Sequence, residues 1–370
     1  MPAPQRSNQN LQNLLNASTS TELVTLAFDV TPVGNLILFP EYAIGLHAWF
    51  LDQVRQSNPE LSQYLHDGES EKPFAISRLE GEIATNGKQQ VLIAQKNYRW
   101  YVSALSQNLV QWMADWLGNL PANIELRTTP LQIQAVSFAH PPTSYAQLLQ
   151  QKASKNLALS FISPTSFRRK AHHFPLPLPF NVFQSYLRRW NDFSGHPVDG
   201  EKFLEWVDNH VIITRHQIAT QKVPAGKRGM LTGFIGSVEF TLTTNAAQHP
   251  EYGQLFHSLG QLAPYCGTGH KTTFGLGQTR LGWLQKAPEA EAPNLEASLA
   301  QRIAQLTEIF MQQQKRTGGE RAISVCQTRA TILARREIGE PIKDIAASLN
   351  MNPETVKTYI KLARRALAES

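Results

Sequence analysis

Twice along this chain the residues that favour strands and helices follow in one order: strand, helix, strand, strand, helix, strand. In the first pass "ELVTLAFDV" (Glu22 to Val30) is dense in β-formers and reads as a strand. Pro40 then opens "EYAIGLHAWFLDQVRQ", a helix with proline in its first turn. "FAISRLEGEI" and "QVLIAQKNYRWYVSAL" alternate as strands do, with "TNGK" as the turn between them. "NLVQWMADWLGNL" is a second helix, capped by Asn108 and closed near Gly118, and "IELRTTPLQIQAVSF" returns to strand. The second pass runs from the strand "NLALSFIS" through the proline-rich loop "HHFPLPLPF" to the helix "NVFQSYLRRWNDF". It continues with strands "HVIITRHQIAT" and "RGMLTGFIGSVEFTLT" and the helix "YGQLFHSLGQLA", and the glycine-rich stretch from Cys266 to Gly282 closes it, so the second pass repeats the first only coarsely. This order belongs to the ferredoxin-like, or RRM-like, split unit. The expected class is therefore α+β: tandem ferredoxin-like domains over 20–150 and 151–284, a linker and helix over 285–317, and a small all-α helix-turn-helix domain over 318–370.

With 370 residues, 42% of them hydrophobic, the chain can give each of these domains its own core. A net charge of +6 favours acidic partners, nucleic acid first among them. The two cysteines, Cys266 and Cys326, stand in different regions, which excludes a disulfide framework and a four-thiolate zinc site. There is no H-E-x-x-H and no C-x-x-C, and the adjacent His172 and His173 point their rings apart, so no metal and no other cofactor is expected. The polar N-terminus lacks the apolar core of a signal, and the most apolar stretch, "AIGLHAWFL", is about half of what a membrane span needs. The expected location is the cytoplasm, with no membrane partner.

"CGTGHKTTFGLGQTRLG", Cys266 to Gly282, places glycine at 267, 269, 275, 277 and 282. It is not a P-loop, because Lys271 follows His270 rather than glycine, and three further glycines stand where a helix would have to begin. Nor is it a dinucleotide loop, since Thr272 occupies the place of the third glycine. Two readings stand. One is a hairpin or bulge with no ligand. The other is backbone laid against a sugar-phosphate chain, with N–H groups turned to phosphate and Lys271 and Arg280 adding charge.

His47 lies among apolar residues in the first helix. It is either a satisfied core histidine or a general acid or base. RNA is cut without metal when a 2′-hydroxyl attacks its own phosphate, which needs two proton transfers suited to an imidazole. Position in the second helical turn favours the neutral, base-competent form. Tyr42 is a candidate hydroxyl partner.

At this point the chain resembles the CRISPR repeat-processing endoribonucleases of the repeat-associated RNA-binding superfamily. The resemblance rests on "GLHAWFLDQV", on "FISPTSFRR" followed by "PLPLPFNVFQSYLRRWNDF", on "GFIGSVEFTL" and on "APYCGTGHKTTFGLGQTRLG". It implies tandem ferredoxin-like domains and metal-independent cleavage of CRISPR repeat RNA, leaving 2′,3′-cyclic phosphate and 5′-hydroxyl ends. It assigns catalysis to His47 and RNA contact to Gly267, Gly269, Gly275 and Gly277. Members that lack turnover hold the repeat within a CRISPR effector complex, whose subunits are then partners. His270 and Lys271 are candidate phosphate contacts. So are three basic clusters of the second block: Arg168 with Arg169, Arg188 with Arg189, and Lys227 with Arg228.

The C-terminal "GEPIKDIAASLNMNPETVKTYIKLARRAL" reads as a helix-turn-helix. Ile345, Leu349 and Met351 occupy core positions. Asn350 stands at a turn that needs the left-handed conformation, and Pro353 opens the second helix. Thr355, Lys357, Thr358 and Lys361 are left facing outward. The unit resembles sigma-factor region four and LuxR-type DNA-binding modules, which makes duplex DNA a candidate partner. A helical bundle for protein contact is the other reading.

Overall fold

A computed structural model describes residues 3–17, 20–39, 41–66, 71–86, 89–126, 129–169, 172–224, 230–284, 295–313, 320–337 and 340–368. The chain opens with helix α1 (Ala3–Asn16) and enters strand β1 (Leu23–Pro32). A short strand β2 (Leu36–Leu38) precedes helices α2 (Tyr42–Ser57) and α3 (Pro59–His66). Strands β3 (Phe74–Ile76), β4 (Ala84–Asn86), β5 (Gln89–Leu92) and β6 (Tyr98–Ala104) follow. Then come α4 (Gln107–Gly118), β7 (Asn123–Leu126), β8 (Thr129–Thr143) and α5 (Tyr145–Gln150). The next block runs β9 (Asn156–Thr165), β10 (Phe167–Arg169), β11 (His172–Phe174), α6 (Pro179–Phe193) and α7 (Gly200–His210). It closes with β12 (Val211–Pro224), β13 (Met230–Leu242), α8 (Pro250–Cys266) and β14 (Thr279–Leu281). Four helices end the chain: α9 (Leu295–Gln312), α10 (Glu320–Glu337), α11 (Ile342–Ser348) and α12 (Pro353–Ala368).

Contacts divide the chain into two units. One comprises Met1–Val30, Glu41–Glu80 and Asn97–Pro288; the other comprises Thr31–Pro40, Gly81–Lys96 and Glu289–Ser370.

The first unit holds both ferredoxin-like sheets. Their strand orders are β3-β6-β1-β8-β7 and β12-β13-β9-β14. In each, the first strand lies between the third and the fourth of the split unit, as that fold requires. β1 is buried along most of its length, as a central strand must be. Helix α2 buries Tyr42, Leu46, Trp49, Phe50 and Val54, a stripe at helical spacing. Phe50 meets Phe74, Trp112 and Trp116 with ring centroids 5.3–6.0 Å apart, and Phe28 meets Trp100 and Trp116 at 5.3 and 5.5 Å. In the second sheet, α6 and α8 bury Val182, Phe183, Tyr186, Trp190, Phe256 and Leu259 against β9 and β13. Each such side chain contributes about 1.5–3 kcal/mol by leaving water.

Four helices escaped the sequence reading: α1, α3, α5 and α7. Helix α5 has a full capping box, in which Ser144 accepts from the Gln147 N–H and the Gln147 amide oxygen accepts from the Ser144 N–H. Helix α7 is capped by Asp199. The cap of α4 is Ser106, not Asn108, and its helix ends at Gly118. Pro40 lies outside the described residues. "QVLIAQKNYRWYVSAL" is two strands rather than one, since β5 and β6 join different sheets on either side of Gln95, which has φ +60°. "HHFPLPLPF" begins as β11, paired with β10, before it becomes loop.

The second unit joins an all-helical body to the three-stranded sheet β2-β5-β4. Both inserted segments fall within 20–150, which the sequence assigned to the first ferredoxin-like domain. Helix α9 packs Leu306 and Phe310 against Cys326, Ala330, Leu333 and Ala334 of α10 and Ala363 of α12. Ile332, Ile345, Ala346, Val356 and Ile360 form the helix-turn-helix core, with Leu349 and Met351 against it. Asn350 takes φ +52°, the left-handed turn residue its position called for.

Candidate active site

His47 sits in the second turn of α2, half-buried. Its Nδ1–H donates to the Thr273 carbonyl at 2.9 Å. A carbonyl can only accept, so this bond fixes the tautomer and leaves Nε2 with its lone pair. The ring is stacked on Phe274 at 4.2 Å and lies 5.7 Å from Phe74. Burial is the main cause that holds its pKa below the ordinary 6.5; the Thr273 hydrogen bond opposes this and His66 adds to it. The neutral, basic imidazole therefore dominates at neutral pH. Tyr42 does not serve as its partner here. It is buried with the Arg78 guanidinium 4.8 Å over its ring, and no hydrogen bond joins it to His47.

Thr273 and Phe274 belong to the glycine-rich loop, which the fold thus brings onto the histidine helix. Gly267, Gly269, Gly275 and Gly277 are buried and all have positive φ. Two of them admit no side chain. A Cβ on Gly277 would strike the Thr268 carbonyl oxygen, and one on Gly269 would strike that of Ser166. The loop's N–H groups turn inward: Gly267 donates to Ala263, Thr268 to Gly277, His270 to Ser166 and Gly277 to Pro164. The Gly269 N–H donates to Ser185 Oγ at 2.7 Å. The N–H groups of Gly267, Gly269 and Gly277 are thus engaged within the protein, against the expectation that they turn to phosphate. The positive φ of these glycines folds the loop.

Residues 24–149 match the family described as CRISPR Cas6 N-terminal domain, and residues 159–279 match CRISPR-associated endoribonuclease Cas6. The chain belongs to the Cas6 endoribonuclease family. A Cas6 product complex is 28% identical at a TM-score of 0.56, over 70% of this chain and 99% of its own. A histidine-to-alanine mutant of that Cas6 is 27% identical at 0.54, over 70% and 98%. A Thermus thermophilus Cas6, 22% identical at 0.53 over 71% and 99%, shares the fold. Residues 327–367 match Sigma-70, region 4. No curated protein sequence matches the chain.

Within this Cas6 fold the basic candidates divide. Arg189 is 4% exposed; it donates to the carbonyls of Ser185 and Gly269 and to the hydroxyls of Ser185 and Thr272. It pins the glycine-rich loop to α6 instead of standing open to a ligand, which corrects its assignment as an RNA contact. Arg188 is exposed and pairs with Glu71 at 3.1 Å. Arg168 and Arg169 are exposed on β10, Arg168 opposite His173 and Arg169 over Phe174 at 5.7 Å. The His270 ring lies 5.9 Å from His173. Burial and the neighbouring Lys271, His173, Arg168 and Arg188 push its pKa down to about 4. Arg280 pairs with Glu80 at 2.6 Å and donates to the Tyr101 hydroxyl at 3.2 Å. Lys227 and Arg228 lie outside the described residues. Among those described, no three of His, Cys, Asp or Glu gather as a metal site, and no helix is long and apolar enough to cross a membrane.

Sequence reasoning missed Thr273, Phe274 and Phe74, which orient His47. The first two were inside the glycine-rich stretch, but nothing in their spacing tied them to a helix more than two hundred residues earlier. In the second unit, Thr355, Lys357, Thr358 and Lys361 are exposed on α12, with Lys357 Nζ 2.7 Å from Glu354.

Proposed function

We propose that the chain cuts CRISPR repeat RNA by attack of a 2′-hydroxyl on its own phosphate, with His47 Nε2 as the base and no metal required. The observation that carries this is the Nδ1–H bond to Thr273, which leaves Nε2 unprotonated at the ring's other edge. Nε2 takes the hydroxyl proton as the 2′-oxygen bonds phosphorus. The bond from phosphorus to the 5′-oxygen breaks, and that oxygen takes a proton from water. The products are a 2′,3′-cyclic phosphate and a 5′-hydroxyl, and the imidazolium returns its proton to solvent. Side chains of His270, Lys271, Arg168, Arg169 and Arg188 supply the phosphate contacts, while the four glycines shape the loop that carries them. The similar Cas6 structures with product bound and with a histidine replaced support this reading.

The test is cleavage of repeat RNA from the same genome in EDTA. His47→Ala is expected to slow it by about 10²–10⁴-fold while RNA binding persists. A mutant that cleaves as fast as the parent removes His47 from the chemistry. A parent that binds but never cleaves is a repeat-holding scaffold. The match to Sigma-70 region 4 and the outward cations of α12 support a second role, binding of duplex DNA. Lys357→Ala with Lys361→Ala in the full chain is expected to weaken duplex binding and lower its salt slope by about one per lost phosphate contact, with RNA cleavage unchanged. A parent chain that binds no duplex ends this role.

A further inference from the structure

A cleft of about 800 Å³ lies wholly within the second unit. One wall is made by two turns, that between β1 and β2, with Gly34, and that between β5 and β6, with Lys96. The other is made by α9, α10 and α12. Both turns lie outside residues 327–367, so the cleft is not a part of the helix-turn-helix module alone. Among the described residues, the cations Lys96, Arg302, Arg336 and Arg364 line it, against the carboxylates of Glu82 and Glu337. Both carboxylates are taken: Glu82 accepts from Lys96 at 3.2 Å, and Glu337 accepts from Arg302 at 2.9 and 3.2 Å. The nearby Glu340 carboxylate is taken by Arg335, and Arg336 donates only to the Glu340 backbone carbonyl, at 3.0 Å. Arg364 has no hydrogen bond or ion pair among the described residues.

Two guanidiniums that share a cleft and no carboxylate leave it with surplus positive charge, which attracts an anion. Two features say which anion. No aromatic side chain lines the cleft, whereas unpaired bases are held by stacking on aromatic rings. The ligand therefore presents phosphate and keeps its bases elsewhere, as a duplex does. Arg364 also continues an exposed stripe of α12. Lys357, Lys361 and Arg364 stand at i, i+4 and i+7 and share one flank of that helix. The flank of a helix lying in a groove is where the sugar-phosphate strands pass.

We propose that this cleft seats the phosphate backbone of duplex DNA, with Arg336 and Arg364 as the phosphate contacts and the turn at Gly34 as its outer wall. This deepens, and rests on, the reading of α12 as a duplex-binding helix. The cleft has room for a short run of one strand, so the base pairs stay outside it, against α12. Contacts of this kind carry no sequence information; they add affinity and salt dependence and fix how the duplex lies across the helix. Gly34 gives a handle on the wall: a Cβ there meets nothing within 4 Å, and its φ is not in the positive region, so a side chain fits without strain.

The experiment uses the full chain and random-sequence duplex DNA across a salt series, with repeat-RNA binding measured alongside. Arg336→Gln with Arg364→Gln is expected to weaken duplex binding by about tenfold or more and to lower its salt slope by about two, leaving RNA binding as it was. Arg336→Lys with Arg364→Lys keeps both charges and is expected to keep the slope. Gly34→Lys is expected to tighten duplex binding and raise the slope by about one, and Gly34→Glu to weaken it. A double glutamine variant within about twofold of the parent, at an unchanged slope, overturns the assignment. So does a loss that lysine at both positions does not restore, or a Gly34→Lys chain that binds duplex no tighter than the parent. Loss of repeat-RNA affinity with duplex binding intact gives the cleft to RNA and overturns it as well. If Lys357→Ala with Lys361→Ala weakens duplex binding while the arginine pair does not, the cleft alone is rejected. If the parent chain binds no duplex, the reading beneath falls and takes the cleft's role with it.

Discussion

At the scale of single residues, His47 is defined by what holds it more than by where it stands in the sequence. One ring nitrogen is committed to a backbone carbonyl, and the ring is clamped by phenylalanines. Burial lowers its pKa, so the base form survives to more acid pH than a free imidazole would allow. The acid limb of the cleavage rate is therefore expected below pH 6.5; a limb at or above that value contradicts a buried base. Gly277 is the residue on which the loop's shape turns. With φ +69° and the Thr268 carbonyl in the place of a side chain, Gly277→Ala must move backbone. It is expected to lose about 2 kcal/mol or more in urea unfolding, and cleavage with it, because Thr273 and Phe274 would be displaced from His47. Arg189 teaches the opposite lesson about charge. An arginine in a basic doublet looked like a phosphate contact, yet it is the buried peg of the loop, because its planar fork can satisfy several acceptors at once.

At the scale of elements, the two sheets follow directly from alternation and helical spacing. Of the helices that failed to show, α3 and α5 are short, and α5 and α7 are opened by side-chain caps. Helix α5 has six residues, too few to persist without help, and its Ser144–Gln147 box supplies that help. Ser144→Ala is expected to cost about 1 kcal/mol, seen as a lower urea midpoint with an unchanged m-value. The signal was in the sequence as "SYAQ", but without a long apolar stripe behind it the motif carried little weight. The continuous apolar run before β6 concealed a different event. Gln95 turns the chain, and β5 leaves to pair with β2 and β4. Alternation reports that residues are in strands; it does not report which sheet receives them.

At the scale of the whole molecule, several histidines are held neutral, chiefly by burial. His47, His140, His257 and His270 all have lowered pKa values, His270 down to about 4. The unfolded chain, with ordinary histidines, takes up protons first as the pH falls. Stability is therefore fully present above about 6.5 and is lost progressively below it, down through the folded-state values. Urea midpoints measured from pH 8 to pH 5 are expected to fall on the acid side, and a midpoint that rose with acidification would contradict these burials. The sequence by itself determined the tandem ferredoxin-like architecture, the helix-turn-helix, Asn350 at its turn and the candidacy of His47, because each is written in local spacing or in a residue's own conformational preference. Only the tertiary structure decided which groups meet. The loop and the histidine are joined by a backbone carbonyl, and Arg189 is taken inside while Arg188 is left out. These outcomes depend on long-range packing and on which polar groups lose their water, and neither is encoded in any short stretch of the chain.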